Sequence, residues 1–468
     1  MESRTVAPSS RRPSPALAAF LSFIWPGLGQ LYLRQRYTAA LFALPMIVVL
    51  VWAILQLSNG ALWFAAAMFG PDYAMTIALL AAAVGVWHVA SVVHAFLAAV
   101  RPRITSWFDR GALAVLLVAV VGVNGFVTVN AWSVSDFDRR IASNDFSDTS
   151  QDPSASTSSD SSADTSPDPS ALAPGTPIPY YVEPGITPAP LAHRVTVLLT
   201  GLDFTAGRSH ALNDTLLVVS LDTQSGQVSM ISVPRDTSNY PLYWGGFAGI
   251  KINSIQTYIR HHWLLSPDPP MTTLTTEIGY LIGIPVNYYA QINMDGFVRL
   301  VGLVGGVDVV NPTAFYDPMM HTGWAAGPLH LDGAQALLYV RSRHGDNDYA
   351  RSSRQQDVLE AIVKKLARPS MALQLQQVLG LAGSSIQTNF PLDTVKDYTS
   401  SVEKFTSGAV SKCVLGPPYS WHPDSSTTGG AWTSRLYLDK LANLSVQLFG
   451  TESSYYGKKG VAPAPCAS

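Results

Sequence analysis

A chain of 468 residues has room for two or three folding units, and 47% hydrophobic with 13% charged residues is apolar for a protein that lives wholly in water. The formal net charge of −2, without a local excess of Lys and Arg, excludes a nucleic-acid surface, so no nucleic acid is expected as a partner. Two cysteines, Cys413 and Cys466, exclude a cysteine-rich metal site and leave a bridge between them open, since two cysteines define one pairing but no geometry.

Residues 1–133 read as a membrane region. Three nearly uncharged runs, about 38–57, 73–100 and 111–132, each reach the ~20 residues that cross a bilayer. An earlier apolar stretch, 16–33, is broken by Pro26-Gly27-Leu28-Gly29 and flanked by Arg11, Arg12, Arg34 and Arg36, which fits a re-entrant or interfacial hairpin better than a span. Arg101, Arg103 and Arg110 mark a cytoplasmic loop, whereas 58–72 carries no Lys or Arg. Three spans satisfy both constraints with the N-terminus cytoplasmic. The expectation is a multi-pass protein of the cell membrane, with the lipid bilayer as a partner, everything beyond Trp132 extracytoplasmic, and no cleavable signal peptide.

Residues 134–192 are expected to be a disordered linker rich in Ser, Asp and Pro. Between 144 and 190 there is no Lys or Arg, and this composition cannot build a core. A flexible chain of that length has an end-to-end distance of roughly 40 Å. A catalytic domain follows at 193–450, with a C-terminal tail at 451–468.

Within 193–450, short runs rich in Val, Ile, Leu, Thr and Tyr predict strands over 194–200, 215–221, 227–233 and 288–294. Helical patterns cover 271–282, 295–303, 332–341 and 352–367, with Asp332 as an N-cap. This mixed order predicts an α/β fold, a central mixed sheet covered by helices on both sides, preceded by the all-α membrane region.

Two aspartates and a set of arginines fall at the ends of these elements. Asp203 follows the first strand and Asp214 immediately precedes the second, so both carboxylates are expected at one edge of the sheet. Converging carboxylates hold Mg²⁺ or Mn²⁺, hard cations that share oxygen ligands with substrate phosphates. Taken singly, each Asp also fits an ordinary turn. Arg235, Arg341, Arg343 and Arg351 offer guanidinium forks for the anionic oxygens of a pyrophosphate. Arg351 and Gln355 are four apart at the start of a predicted helix, on one face and near its positive end. A solvated face with Arg351, Arg354 and Lys364 in surface pairs is the plain alternative, and Arg354, one helical step round, reads as structural. Lys251 and Asn253 lie in a further polar stretch, and Asp236 is placed to orient Arg235 rather than to bind metal. Among the histidines none has the spacing of a His-Glu-x-x-His zinc site; there is no Gly-x-Ser-x-Gly elbow and no Walker loop, so no nucleotide is implied. His344 reads as a solvent-facing loop residue.

In order and spacing, Gly201-Leu202-Asp203, Asn213-Asp214-Thr215, Pro234-Arg235-Asp236, Lys251-Ile252-Asn253, Arg341-Ser342-Arg343 and Arg351-Ser352-Ser353-Arg354-Gln355 resemble the LytR-CpsA-Psr family of cell-wall glycopolymer ligases. The resemblance is strong over 194–365, weaker to about 449, and absent from the membrane part. One departure is Leu212-Asn213-Asp214-Thr215, where the family usually has Arg-Ser-Asp-Thr; either Arg208 replaces the missing arginine or its contact is absent. The resemblance implies an α/β/α sandwich with a deep apolar groove. It also implies a phosphotransferase with catalytic Asp203, Asp214, Arg235, Arg341 and Arg343. Its substrate site would comprise Arg235, Lys251, Asn253, Arg341, Arg343, Arg351 and Gln355, and its metal site Asp203 and Asp214. The implied donor is a polyprenyl-pyrophosphate-linked glycan and the implied acceptor peptidoglycan. The apolar helices between 271 and 303 are expected to wall the prenyl groove. A polyprenyl pyrophosphatase using the same residues with water as acceptor, or a noncatalytic lipid-binding or regulatory module, remain the alternatives.

Overall fold

The computed structural model describes residues 13–59, 63, 67, 70–100, 106–135, 193–203, 212–262, 265–266, 268–368, 371, 375–391, 394, 397–398, 410–428 and 430–449. The linker and tail expected at 134–192 and 451–468 fall outside these residues, apart from the end of one membrane helix. The chain divides into two compact units, one built from the N-terminal 138 residues with 392–397 and one from the remainder.

The N-terminal unit contains three helices long and apolar enough to cross a membrane, Arg36–Leu57, Asp72–Ala99 and Trp107–Ser133. Ahead of them, the Pro26-Gly27 break separates two short helices, Pro15–Ile24 and Leu28–Tyr32. Gly27 takes a φ of 105°, in the left-handed region open to glycine, and a Cβ at Gly29 would collide with the Ala18 carbonyl oxygen. The hairpin therefore closes tightly enough to bury Gln30. Its side chain accepts from the Ser22 hydroxyl at 3.0 Å and donates to the Ser91 carbonyl at 2.9 Å, so its polar atoms are satisfied away from water.

The second unit is organised by a six-stranded mixed sheet whose strands lie in the order 386–388, 288–293, 194–203, 212–222, 228–232 and 410–414. The first three strands, β1 (Arg194–Asp203), β2 (Leu212–Asp222) and β3 (Val228–Ser232), form an antiparallel meander. After a small hairpin of β4 (Tyr240–Pro241) and β5 (Phe247–Ala248) and two helices, β6 (Tyr288–Asn293) returns parallel to β1. Two further ribbons, β7 (Val307–Asn311) with β10 (Gly327–Leu331) and β8 (Phe315–Asp317) with β9 (Thr322–Trp324), lie outside the main sheet. Finally β11 (Ile386–Thr388) pairs antiparallel with β6, and β12 (Val410–Val414) parallel with β3. Cys413, on β12, is buried and disulfide-bonded. Cys466 lies outside the described residues.

Alternation along the strands sends successive side chains to opposite faces. Leu198, Leu216, Val218 and Ile231 enter a dense core with the helices Ile255–His261, Pro270–Ile282 and Leu438–Phe449. Leu217, Val228 and Met230 face the other way, toward Leu359 and Val363 of the helix Asp348–Leu366. On that second side Val301, Val307, Leu331, Tyr339 and Val358 build another core from the helices Met294–Leu303, Gly333–Arg341 and Asp348–Leu366 with β7 and β10. The domain is thus an α/β/α sandwich. Asp332 caps Gly333–Arg341 in a capping box with Gln335, and Gly305-Gly306, both at φ 76°, turn the chain from Met294–Leu303 into β7. The helix expected to begin at 352 starts at Asp348 instead, because Asn347 accepts the Ala350 N–H and supplies the cap.

Candidate functional site

Between the sheet and its second helical layer lies a cavity of about 1010 Å³. Leu199, Leu217, Ala290 and Ile292 form its floor. Phe297 and Leu300, Leu337 and Val340, and Val358, Leu359 and Ile362 form its walls, one set from each of the three helices. Its lining also includes Asp214, Arg235, Arg341, Arg343, His344, Arg351 and Gln355. The helix Pro270–Ile282, expected to wall the groove, instead buries Met271, Leu274, Ile278 and Leu281 in the core on the opposite face. Of the 271–303 segment only the part from Ala290 to Leu300 lines the cavity, because the crossover through β6 carries the chain from one face of the sheet to the other.

Asp214 reaches this cavity through an irregularity in the sheet. Gly201 pairs with Thr215 and Leu202 with Asn213, which leaves Asp214 as the extra residue of a β-bulge. A bulge bends the strand and re-aims a side chain. Asn213 is fully buried, where it donates to Gln256 at 2.8 Å and accepts from Thr200 at 2.7 Å and Gln291 at 2.9 Å. With Asn213 pinned, Asp214 stands among the arginines. Its Oδ1 accepts from Arg235 Nη1, whereas no described partner reaches Oδ2.

Arg235, just past β3, is ringed by Asp214, Asp236 at 3.9 Å and Asp348 at 3.8 Å. Burial works against its charge, but Asp214, Asp348 and Asp236 more than offset it, and its pKa stands above the ordinary arginine value. Arg351 is 4% exposed and pairs with Asp348 at 2.9 Å. Its pKa lies below the ordinary value, first because of burial and then because Arg235 and Arg343 repel its charge, despite Asp348 and Asp214. Arg343 is exposed, and its guanidinium meets no carboxylate among the described residues. Arg235, Arg341, Arg343 and Arg351 thus line one cavity with Asp214, and of these the Arg343 guanidinium stands without a carboxylate among the described residues. An anion is the missing complement.

Two carboxylates that organise this cluster carried no signal in the sequence. Asp348, in the first turn of its helix, joins Arg235 to Arg351. Asp317, fully buried at the end of β8, accepts backbone N–H groups from Arg343 at 2.9 Å, His344 at 3.2 Å, Met320 at 3.2 Å and Met319 at 3.0 Å. Burial would raise its pKa, but those four donors outweigh burial and hold it below the ordinary carboxylate value. It ties the Arg343-His344 loop to the Met319-Met320 loop, both of which line the cavity.

The remaining expected residues take other places. Gln355 lines the cavity and donates to the Val340 carbonyl at 3.3 Å. Lys251 is outside the lining and pairs with Asp236 at 2.5 Å. Asn253 is buried, and its backbone N–H donates to the Arg235 carbonyl at 3.3 Å, which fixes the chain beneath that arginine. Arg354 is 4% exposed, bonded to Asp346 and to the Ser342 and Tyr339 carbonyls, and stacked 4.4 Å from the Phe315 ring centroid. His344 is half exposed beside Asp317. Asp203 ends β1 opposite Leu212. Its side chain and residues 204–211, Arg208 among them, lie outside the described residues. Among the described residues no three His, Cys, Asp or Glu side chains converge on one point. Asp214 Oδ2 can still serve a divalent cation, since Mg²⁺ is commonly held by one or two carboxylates together with substrate phosphates.

Residues 182–431 match the model of the LytR_cpsA_psr family. The chain is 33% identical over 205 residues to the polyisoprenyl-teichoic acid–peptidoglycan teichoic acid transferase TagU of Bacillus anthracis, covering 43% of this chain and 63% of that protein. It is 31% identical over 209 residues to the TagU of Halalkalibacterium halodurans, covering 44% and 64%. The chain therefore spans a little under two thirds of these relatives. Among solved structures it is similar to B. subtilis TagV (22% identity, TM-score 0.44, covering 54% of this chain and 96% of that one) and to TagT bound to LIIa-WTA (23%, 0.42, 55% and 90%).

Proposed function

Because this chain belongs to the LytR-CpsA-Psr family, we propose that it is a membrane-anchored phosphotransferase that moves a glycopolymer from a polyprenyl-pyrophosphate carrier onto peptidoglycan. One observation carries the reading: an apolar cavity of about 1010 Å³ shares its lining with four arginines, of which Arg343 meets no carboxylate among the described residues. A ligand that suits both parts joins a long hydrocarbon tail to a compact polyanion. The names of the TagU relatives, which pair a polyisoprenyl-linked polymer with peptidoglycan, support the same chemistry.

In this reading the prenyl tail lies over Leu199, Leu217 and Ala290, and the pyrophosphate meets Arg341, Arg343 and Arg351. The acceptor hydroxyl oxygen attacks the glycan-bearing phosphorus as the bridging P–O bond breaks. Polyprenyl phosphate leaves, and the hydroxyl proton passes to a carboxylate beside the arginines. Preset guanidinium groups stabilise the charge that develops on the departing phosphate, without the reorganisation that water would need. Mg²⁺ or Mn²⁺, held by Asp214 with Asp203, would neutralise further phosphate charge. Arg235 holds Asp214 in place. The three apolar helices anchor the chain in the cell membrane, with the N-terminus cytoplasmic and the catalytic domain extracytoplasmic.

The test is product analysis with the full chain in lipid nanodiscs and a lipid-linked glycan donor, with and without a peptidoglycan acceptor. Transfer of glycan phosphate to the acceptor, dependent on added divalent metal, is expected. Release of free glycan phosphate at an equal rate in both cases would identify a pyrophosphatase, and binding without turnover a noncatalytic module.

A further inference from the structure

A second cavity, of about 340 Å³, adjoins the arginine cluster and shares Arg343 and His344 with it. Its lining also includes Asp236, Tyr349, His422, Trp432 and Ser434, and the Ser434 N–H donates to the Asp236 carbonyl at 2.9 Å. Trp432 is 65% exposed, yet its ring is stacked on His422 with centroids 4.1 Å apart and planes 30° apart. His422 is fixed in turn, because Nδ1 meets the Thr433 carbonyl at 2.8 Å and Nε2 the Tyr349 hydroxyl at 2.9 Å. An immobilised indole left open to solvent presents a flat apolar face. Ser434 supplies the polar counterpart: it is 1% exposed, lines the cavity, and its hydroxyl has no hydrogen-bond partner among the described residues. The nearby carboxylates already have cations, Lys251 for Asp236 and Arg351 for Asp348, so the cavity suits a neutral ligand with many hydroxyl groups better than a further cation.

We propose that this cavity is a saccharide subsite, in which a pyranose lays its C–H face on Trp432 and turns its hydroxyls to Asp236 and Ser434. The subsite rests on the reading of the arginine cluster as a pyrophosphate site, because its position beside Arg343 places a sugar next to that group. The sugar is either the one joined to the donor pyrophosphate or the one that offers the acceptor hydroxyl. Both present the same ring chemistry.

The experiment uses the full chain in nanodiscs and measures binding of chitotetraose, a neutral N-acetylglucosamine oligomer, by titration calorimetry. Trp432→Ala should weaken binding roughly tenfold, the scale of one lost aromatic contact, whereas Trp432→Phe, which keeps a flat face, should retain most of it. Trp421→Ala removes another partly exposed indole outside the cavity and should leave binding unchanged. Steady-state kinetics with a sugar-bearing prenyl pyrophosphate then separates the sources. A raised KM for donor without acceptor assigns the donor sugar, and a raised KM for the acceptor alone assigns the acceptor sugar. Unaltered chitotetraose binding and unaltered KM values in Trp432→Ala would overturn the subsite. If the chain cleaves no donor but binds chitotetraose in a Trp432-dependent way, the subsite stands and the pyrophosphate reading fails.

Discussion

Along β2, Leu216 and Val218 point into a core closed by three helices, while Thr215 and Leu217, one residue away, line a cavity of about 1010 Å³ on the opposite face. The strands are the same, and apolar side chains supply both faces. On the first face Leu274, Ile278 and Leu281 of Pro270–Ile282 descend onto the sheet and fill the space. On the second, much of the apolar surface of the three helices is spent on their own core with β7 and β10, so the layer bridges the sheet rather than filling it. Protein interiors normally close to crystal-like density. A cavity this large, lined by Leu, Ile, Phe and Met and continuous with clustered arginines, is a place for a ligand, whereas the other face is a place for stability.

The contrast extends to two buried carboxyls. Asp317, on the cavity side, has four N–H donors and stays ionised. Glu277, on the closed side, is fully buried, has one donor in the Tyr243 N–H at 3.1 Å, and leaves Oε1 without a partner. Burial pushes its pKa well above the ordinary value, so it favours the neutral form.

The largest effect on stability is expected on the closed face. Leu274→Ala, which opens a void in a filled core, should cost about 2–5 kcal/mol in denaturant unfolding. A loss below roughly 1 kcal/mol would mean that this face is no better packed than the other. On the cavity face the large effect is on rate: Arg343→Lys keeps the charge but loses the fork, and single-turnover donor cleavage should fall about 30- to 1,000-fold, or ~2–4 kcal/mol in the barrier. Its melting temperature should not move, since Arg343 makes no ion pair among the described residues. Arg354→Lys is the opposite case, and its activity should fall only as far as its stability does.

The two carboxyls give a smaller, pH-dependent effect. Glu277 holds its proton in the fold above the pH at which the unfolded chain releases it, so it destabilises increasingly as pH rises from its ordinary value of 4.5 through the raised folded value. Glu277→Gln should therefore gain stability over the parent between pH 5 and 8 and gain little near pH 4, as read from urea midpoints across that range. Asp317 behaves in reverse, with stability present above its ordinary value of 3.8 and lost as pH falls through its depressed one. A parallel pH response of Glu277→Gln and Asp317→Asn would erase the distinction between the faces. Smallest of all, Leu337→Ala at the cavity wall should cost less than ~1 kcal/mol, because it enlarges a space that already exists.

Much of this arrangement was legible from local pattern. The meander and β6 announced themselves by β-branched runs and the helix at Asp332 by its cap, whereas the arginines stood out through motifs whose order and spacing resemble the family's. What could not be read was set by distant contacts. Asp317 holds Arg343 across 26 residues, Asp348 serves two arginines while looking like an ordinary first-turn carboxylate, and β12 joins the sheet from 178 residues beyond β3. The bulge that frees Asp214 depends on pairing register, which no single strand encodes. Which apolar helix fills a core and which walls a cavity is likewise decided by the crossover at β6, not by composition.

Ala290 offers the most direct test of the division between apolar cavity and arginine cluster, since it lies on the cavity floor beside Leu199. The measurement is equilibrium binding of geranylgeranyl pyrophosphate and of inorganic pyrophosphate to the full chain in nanodiscs, comparing the parent with Ala290→Trp. The expected result is that the bulky ring weakens the prenyl ligand at least tenfold and leaves inorganic pyrophosphate unchanged. Equal affinities of parent and variant for the prenyl ligand, with the variant folded, would contradict the assignment of the cavity to a lipid tail.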